Sequence, residues 1–185
     1  MARTPSTMVA LTTNAPDFIL PDTVLGKQIS LNDVKGEIAT IIMFICNHCP
    51  FVKHVNDELV KLANDYKNKK IGFVAISSND VINYPDDAPG LMKVTAIQLQ
   101  YSFPYLYDES QDVAKAYYAA CTPDFFIYNN KLELAYRGQL DDSRPGNGIP
   151  VTGKDIRRAL DCLLINQPVP SEQRPSIGCN IKWKQ

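Results

Sequence analysis

The sequence predicts an α/β fold: a central mixed β-sheet flanked by helices, with an N-terminal β-hairpin and a C-terminal tail. Three observations carry this. Residues 39–45 form an unbroken apolar, β-branched run, the pattern of a strand buried on both faces. Directly after it, Phe51, Val55, Leu59, Leu62 and Tyr66 recur at helical spacing. A second buried run at 71–76 then completes a β-α-β unit, and a later hairpin and helix supply a β-β-α unit.

Taken in order, 15–22 and 27–31 read as two short strands joined by a turn at Gly26. After the β-α-β unit, 89–101 and 111–120 read as helices. Residues 124–128 and 132–136 are apolar runs joined by Asn129-Asn130-Lys131, whose asparagines tolerate positive φ. A polar loop spans 138–153. The last helix is expected from about 154 to 166, with Thr152 as N-cap and Ile156, Leu160, Leu163 and Leu164 facing inward. The chain reads as one domain over 1–185, flexible over 1–13, with 167–185 docked as a tail through its single tryptophan, Trp183.

Composition narrows the function classes. Apolar residues are 45% and charged residues 21% of the chain, ordinary for a globular protein. Lys and Arg number 19 against 20 acidic residues, which leaves no electrostatic footprint for nucleic acid or an anionic membrane. Residues 1–14 resemble neither a secretory signal nor an anchor, and no apolar run is long enough to cross a bilayer. The expected location is therefore a reducing cytoplasm. There the five cysteines (Cys46, Cys49, Cys121, Cys162 and Cys179) point to redox chemistry or metal binding rather than to a disulfide framework.

Cys46-Asn47-His48-Cys49-Pro50 is the segment with chemistry in it. Two cysteines three positions apart, where a buried strand meets a helix, place the first thiol at the helix N-terminus, whose free N–H groups favour an anion. The second lies one turn in and can close a ring with the first, which supplies the attacker and resolver that thiol exchange needs. His48 adds a cation beside them and should make the pair more oxidising. The competing reading is a metal site. Zinc requires two further ligands, and no second cysteine pair or paired histidines exist, since His48 and His54 are the only two histidines. No resident cofactor or metal is expected.

At this point the sequence resembles the thioredoxin superfamily, and within it the peroxiredoxin-like branch related to alkyl hydroperoxide reductase and thiol-specific antioxidant proteins. Four stretches carry the resemblance. Ala15-Pro16-Asp17-Phe18-Ile19-Leu20-Pro21-Asp22 is similar to the opening strand of that branch. The segment from Phe44 through Cys46 and Cys49 to Val52 is similar to its redox turn. Cys121-Thr122-Pro123-Asp124-Phe125-Phe126 is similar to the cis-proline loop, and 175–184 to a tail found there.

The resemblance implies a thioredoxin-like fold with catalytic Cys46, Cys49, His48 and Pro123. It also implies a cis bond before Pro123 that turns the Thr122 backbone toward the disulfide, ready to pair with a substrate strand. Cys121 would then lie near the redox turn, as a third redox thiol or as a small buried residue. Cys179, in the tail, is a further candidate redox thiol. Asp141 and Arg144 sit in a loop expected to border the site, where they either orient substrate and tune thiol pKa values or simply close their own turn. The peroxidatic motif P-x-x-x-T/S-x-x-C, laid with its cysteine on Cys49, puts Ile42 in the proline's place and Cys46 in the hydroxyl's.

The expected function is thiol–disulfide exchange through Cys46 and Cys49 on protein or small-molecule thiols and disulfides, reset by a thioredoxin- or glutathione-type reductant. A thiol peroxidase is the alternative within enzymes. A copper- or zinc-carrying metallochaperone using Cys46, Cys49 and His48 or His54 is the alternative from another class.

Overall fold

The structure, a computed structural model, describes residues 3–185. In chain order its elements are β1 (Arg3–Pro5), β2 (Ile19–Pro21), β3 (Gln28–Ser30), α1 (Leu31–Val34), β4 (Ala39–Phe44), α2 (Pro50–Tyr66), β5 (Ile71–Ser77), α3 (Pro89–Gln98), β6 (Tyr105–Tyr107), α4 (Asp112–Ala116), β7 (Cys121–Thr122), β8 (Asp124–Asn129), β9 (Leu134–Gly138), α5 (Lys154–Leu164) and β10 (Ile177–Asn180).

Five strands form the main sheet, in the order β6-β5-β4-β8-β9. β4 runs parallel to β5 and antiparallel to β8, so the sheet is mixed. Every residue of β4 is buried, as its uninterrupted apolar run requires. Its side chains alternate between two cores. Ile41 and Met43 pack with Val55, Leu59 and Leu62 of α2 and with Ile156 and Leu160 of α5. Ile42 and Phe44 pack with Phe18, Leu20 and Ile29 of the β2–β3 hairpin and with Ala114 of α4. Among the described residues, no helix is long and apolar enough to cross a membrane.

Several boundaries differ from the sequence reading, each for a local reason. The second helix of 111–120 is only Asp112–Ala116, because Tyr118 turns left-handed at φ 54°. Leu132 is left-handed at φ 61° and belongs to the hairpin loop, so β9 starts at Leu134. Gly153, not Thr152, caps α5, with a φ of 65°.

Both termini differ from the expectation in part. Arg3–Pro5, within the supposedly flexible 1–13, pairs with 177–179, while residues 1 and 2 lie outside the described residues. β1 thereby covers an edge of β10 that would otherwise present unpaired backbone groups. The tail is docked, but not through Trp183, which is 40% exposed. Ile181, 1% exposed, is the apolar anchor, and the backbone of Lys182 bonds Asn79, Asp80 and Gln111. Ile181→Ala should therefore destabilise the protein by about 2–5 kcal/mol, and Trp183→Ala by about 0.5 kcal/mol or less. Paired urea titrations of the two variants check the ranking; a Trp183 loss as large as that at Ile181 would move the anchor back to the tryptophan.

Candidate active site

The topology brings the site together. β4 ends at Phe44, and the redox turn leaves the sheet there, at the carboxyl end of a central strand. β8 is antiparallel to β4, with Asp124 opposite Phe44, so the start of β8 lies at the same end. Thr122-Pro123 therefore faces Cys46-Asn47-His48-Cys49 across the sheet. The Thr122–Pro123 bond is cis.

Pro50 occupies the first turn of α2, where its fixed φ suits helix entry, and this makes Cys49 the N-cap. The helix thus begins at the second cysteine. The expectation that Cys46 sits at the helix N-terminus with Cys49 one turn in is corrected by that one proline. Both cysteines are deeply buried, Cys46 at 2% exposure and Cys49 at 0%.

The electrostatics follow from this placement. Hydrogen bonds from the Cys46 thiol, the Cys179 thiol, Thr122 and the Val52 N–H converge on Cys49 and push its pKa down to about 4, although burial opposes them. The Thr122 carbonyl, 3.1 Å from Cys49 Sγ, accepts from the thiol form and so also opposes ionisation, but the donors outnumber it. Cys46 is pushed well above an ordinary thiol because it donates to Cys49, is buried, and lies near the Asp87 carboxylate. The pair therefore holds one proton between two sulfurs, with the negative charge on Cys49. Cys46 as the more acidic thiol is a second corrected expectation. Cys46 Sγ also lies 3.3 Å from Thr122 Oγ1.

His48 does not stand alone. Its Nδ1 lies 2.6 Å from Asp87 Oδ2, and its ring stacks on Tyr84 with centroids 5.6 Å apart. Asp87, fully buried, also accepts the backbone N–H groups of Asn47 and His48 and the side-chain amide of Asn79. It thus fixes the redox turn from outside the turn. Sequence reasoning missed it, since it lies 39 residues away in a polar turn with no periodic signal.

The hydrogen bond to Asp87 raises His48 above its ordinary value, and burial counteracts it only in part. Burial alone would raise Asp87, but bonds from His48 and Asn79 outweigh it and hold the carboxyl below its usual range. For His48 the contribution to stability is complete below the unfolded imidazole value of about 6.5 and disappears as pH rises through the higher folded value. For Asp87 it is complete above about 3.9 and disappears as pH falls through the lower folded value. Asp87→Asn should move the His48 titration, followed by NMR, to lower pH. An unmoved midpoint would mean that the carboxylate does not govern the imidazole.

The other expected site residues make mainly local contacts. Asp141 accepts the N–H groups of Ser143, Thr152 and Gly153, and so ties its loop to the start of α5. Arg144 spends its guanidinium on the carbonyls of Asp141 and Ser143 and on Gln139. Both close their own loop, and neither contacts a thiol. Cys121 is buried on the face of β7 opposite Thr122, and its S–H points to the Pro123 carbonyl at 3.6 Å. Burial raises it far above an ordinary thiol. The expected pairing of the Thr122 backbone with a substrate strand meets an obstacle: β10 already pairs with β7, with Cys179 opposite Thr122.

As a metal site the cluster fits poorly. Cys46, His48 and Asp87 place ligand atoms within 4.8 Å of one another. Asp87, however, already accepts four hydrogen bonds, the full capacity of a carboxylate. His54, the other candidate ligand, bonds Ser143 Oγ at 2.7 Å instead.

Residues 11–137 match the AhpC/TSA family. No curated protein matches the chain. Among solved structures it is similar to an uncharacterized conserved protein from Geobacillus kaustophilus, with 61% identity, TM-score 0.98, and coverage of 100% of this chain and 97% of that one. It is also similar to a hypothetical protein from Sinorhizobium meliloti 1021, with 47% identity, TM-score 0.95, and 98% of each chain covered. The thioredoxin domain of a thiol-disulfide oxidoreductase from Bacteroides vulgatus shares the fold at TM-score 0.58 and 20% identity, over 70% of this chain and 88% of that one.

Proposed function

Since the chain belongs to the AhpC/TSA family and has a thioredoxin-like fold, we propose that it is a thiol–disulfide oxidoreductase working through Cys46 and Cys49. The observation that carries this is the convergence of two thiols at the head of α2 on one residue, Thr122, with Cys46 Sγ 3.3 Å from its hydroxyl and Cys49 Sγ 3.1 Å from its carbonyl. Exchange needs one sulfur to attack as a thiolate and a second to resolve the mixed disulfide.

Cys46, on the turn ahead of the helix, meets the substrate disulfide. In the minor form of the pair the proton lies on Cys49, along the hydrogen bond between them, and Cys46 is the thiolate. The Cys46 thiolate forms beside His48, whose raised pKa favours the imidazolium. Attack breaks the substrate S–S bond, forms a mixed disulfide on Cys46, and releases one substrate thiolate, which takes up a proton. Cys49, returned to its thiolate by giving up that proton, then attacks Cys46 Sγ, closes the Cys46–Cys49 bond, and releases the second substrate sulfur as a thiolate, which takes its proton from water. A thioredoxin- or glutathione-type dithiol or thiol resets the pair by the same steps in reverse. Substrates are protein or small-molecule disulfides.

Reduction of insulin disulfides by the reduced protein tests the reading. Single-turnover loss of its two active-site thiols, with a matching gain of insulin thiols, is the expected result; retention of both thiols against excess disulfide would reject it.

One observation favours a second reading. An acidic thiolate at a helix N-cap, as at Cys49, is also what a thiol peroxidase uses. It predicts fast oxidation of Cys49 by peroxide, a test taken up in the Discussion.

A further inference from the structure

The tail strand carries a third sulfur into the dithiol centre. In an antiparallel ladder, directly opposed residues turn their side chains to the same face. Cys179 stands opposite Thr122, and Thr122 turns its side chain toward Cys46. Cys179 accordingly reaches the same sulfurs, is 2% exposed, and hydrogen-bonds Cys49. Cys49 thus touches two thiols, Cys46 from its own turn and Cys179 from the tail.

The contact is built into the strand. A Cβ on Gly178 would lie 2.0 Å from the Thr122 carbonyl oxygen, so only glycine lets β10 approach β7 this closely. Ser176 Oγ donates to the Pro123 carbonyl at 2.6 Å on one side of Cys179. Ile181 N–H donates to the Ala120 carbonyl on the other. The backbone that would pair with an incoming substrate strand is thus filled by the chain's own segment, which presents a cysteine.

We propose that Cys179 is a third redox thiol that takes the disulfide over from Cys46, so that the oxidised protein stores part of its oxidising equivalent as Cys49–Cys179. The proposal rests on the exchange reading, which supplies the Cys46–Cys49 disulfide. Cys179, as thiolate, attacks Cys49 Sγ. The Cys46–Cys49 bond breaks and the Cys49–Cys179 bond forms. Cys46 leaves as a thiolate and takes up the proton that Cys179 gave up. There is no net oxidation and no co-reactant is consumed.

The electrostatics suit this order of events. In the reduced protein Cys179 is pushed up to about 12 by burial, by its hydrogen bond to Cys49 and by the Cys49 charge. The hydrogen bond to a thiolate and its charge vanish once Cys49 is in a disulfide. Cys179 therefore becomes easier to ionise in the state in which it is needed. The transfer returns Cys46 to the thiol form and fixes β10 covalently over the site.

The test is disulfide mapping of the full-length protein equilibrated in a glutathione redox buffer, acid-quenched, alkylated and digested. A Cys49–Cys179 peptide at least about a tenth as abundant as Cys46–Cys49 is expected. Cys179→Ser should leave Cys46–Cys49 as the sole intramolecular disulfide. If Cys46–Cys49 forms while Cys179 is fully alkylated, the third-thiol proposal is overturned and the exchange reading stands. If neither disulfide forms in the wild-type protein, both are overturned.

Discussion

Cys49→Ser and Cys46→Ser should each lower the rate of disulfide reduction by roughly three orders of magnitude or more, since members of one covalent unit fail together. The two variants should fail differently. In Cys49→Ser the substrate still meets Cys46, but no thiolate remains to release it, because a serine hydroxyl does not ionise near neutral pH. A mixed disulfide on Cys46 should accumulate, visible as a mass increase in acid-quenched samples. In Cys46→Ser the thiolate at Cys49 survives, held by the Val52 N–H and the Cys179 thiol, but it is fully buried. Little mixed disulfide should form there. Thiolate absorbance in the ultraviolet gives an independent readout: the low-pH thiolate should be lost in Cys49→Ser and kept in Cys46→Ser. Mixed disulfide trapped on Cys49 in Cys46→Ser, with Cys49→Ser inert, would reverse the roles of the two sulfurs.

Oxidation of the reduced protein by hydrogen peroxide should be at least about a hundredfold slower than in an enzyme with a full set of donors around the attacked oxygen. The Cys49 thiolate is present, but the groups that would bind and polarise peroxide are not. Ile42, where the peroxidatic motif has proline, is sealed inside β4. Cys46, where the motif has a hydroxyl, offers only a weak S–H donor. Arg144 was the residue with the charge to compensate, and its guanidinium is committed to Asp141, Ser143 and Gln139. Without donors placed for the transition state, the thiolate reacts at close to its intrinsic rate. Stopped-flow mixing with peroxide, read by Trp183 fluorescence or by thiol loss, decides the matter. A rate constant in the range of dedicated peroxidases would replace the exchange reading with the peroxidase one.

The chain's own order of residues determined the parts that are local. The apolar run of β4 suits a buried central strand, and the spacing from Phe51 to Tyr66 suits a helix that buries one face. Two cysteines between those elements had to lie at the strand–helix junction, and the resemblance of 121–126 to a cis-proline loop placed the cis bond. Even the correction at Cys49 was within reach, since proline at the first helical position marks the residue before it as the cap.

What the tertiary structure alone decided is who touches whom across long stretches of chain. Asp87 acquires its role by meeting His48 from 39 residues away, and Cys179 by pairing with Thr122 through a four-residue strand. Short strands such as β1, β7 and β10 carry too few residues to show a period. Burial, too, is not written locally: Ile181 and Trp183 look alike as apolar tail residues, and only packing makes one the anchor and leaves the other partly exposed. The pKa values of the two sulfurs belong to the same class. They depend on which donors and charges converge on each atom, and in this protein those come from four separate segments of the chain.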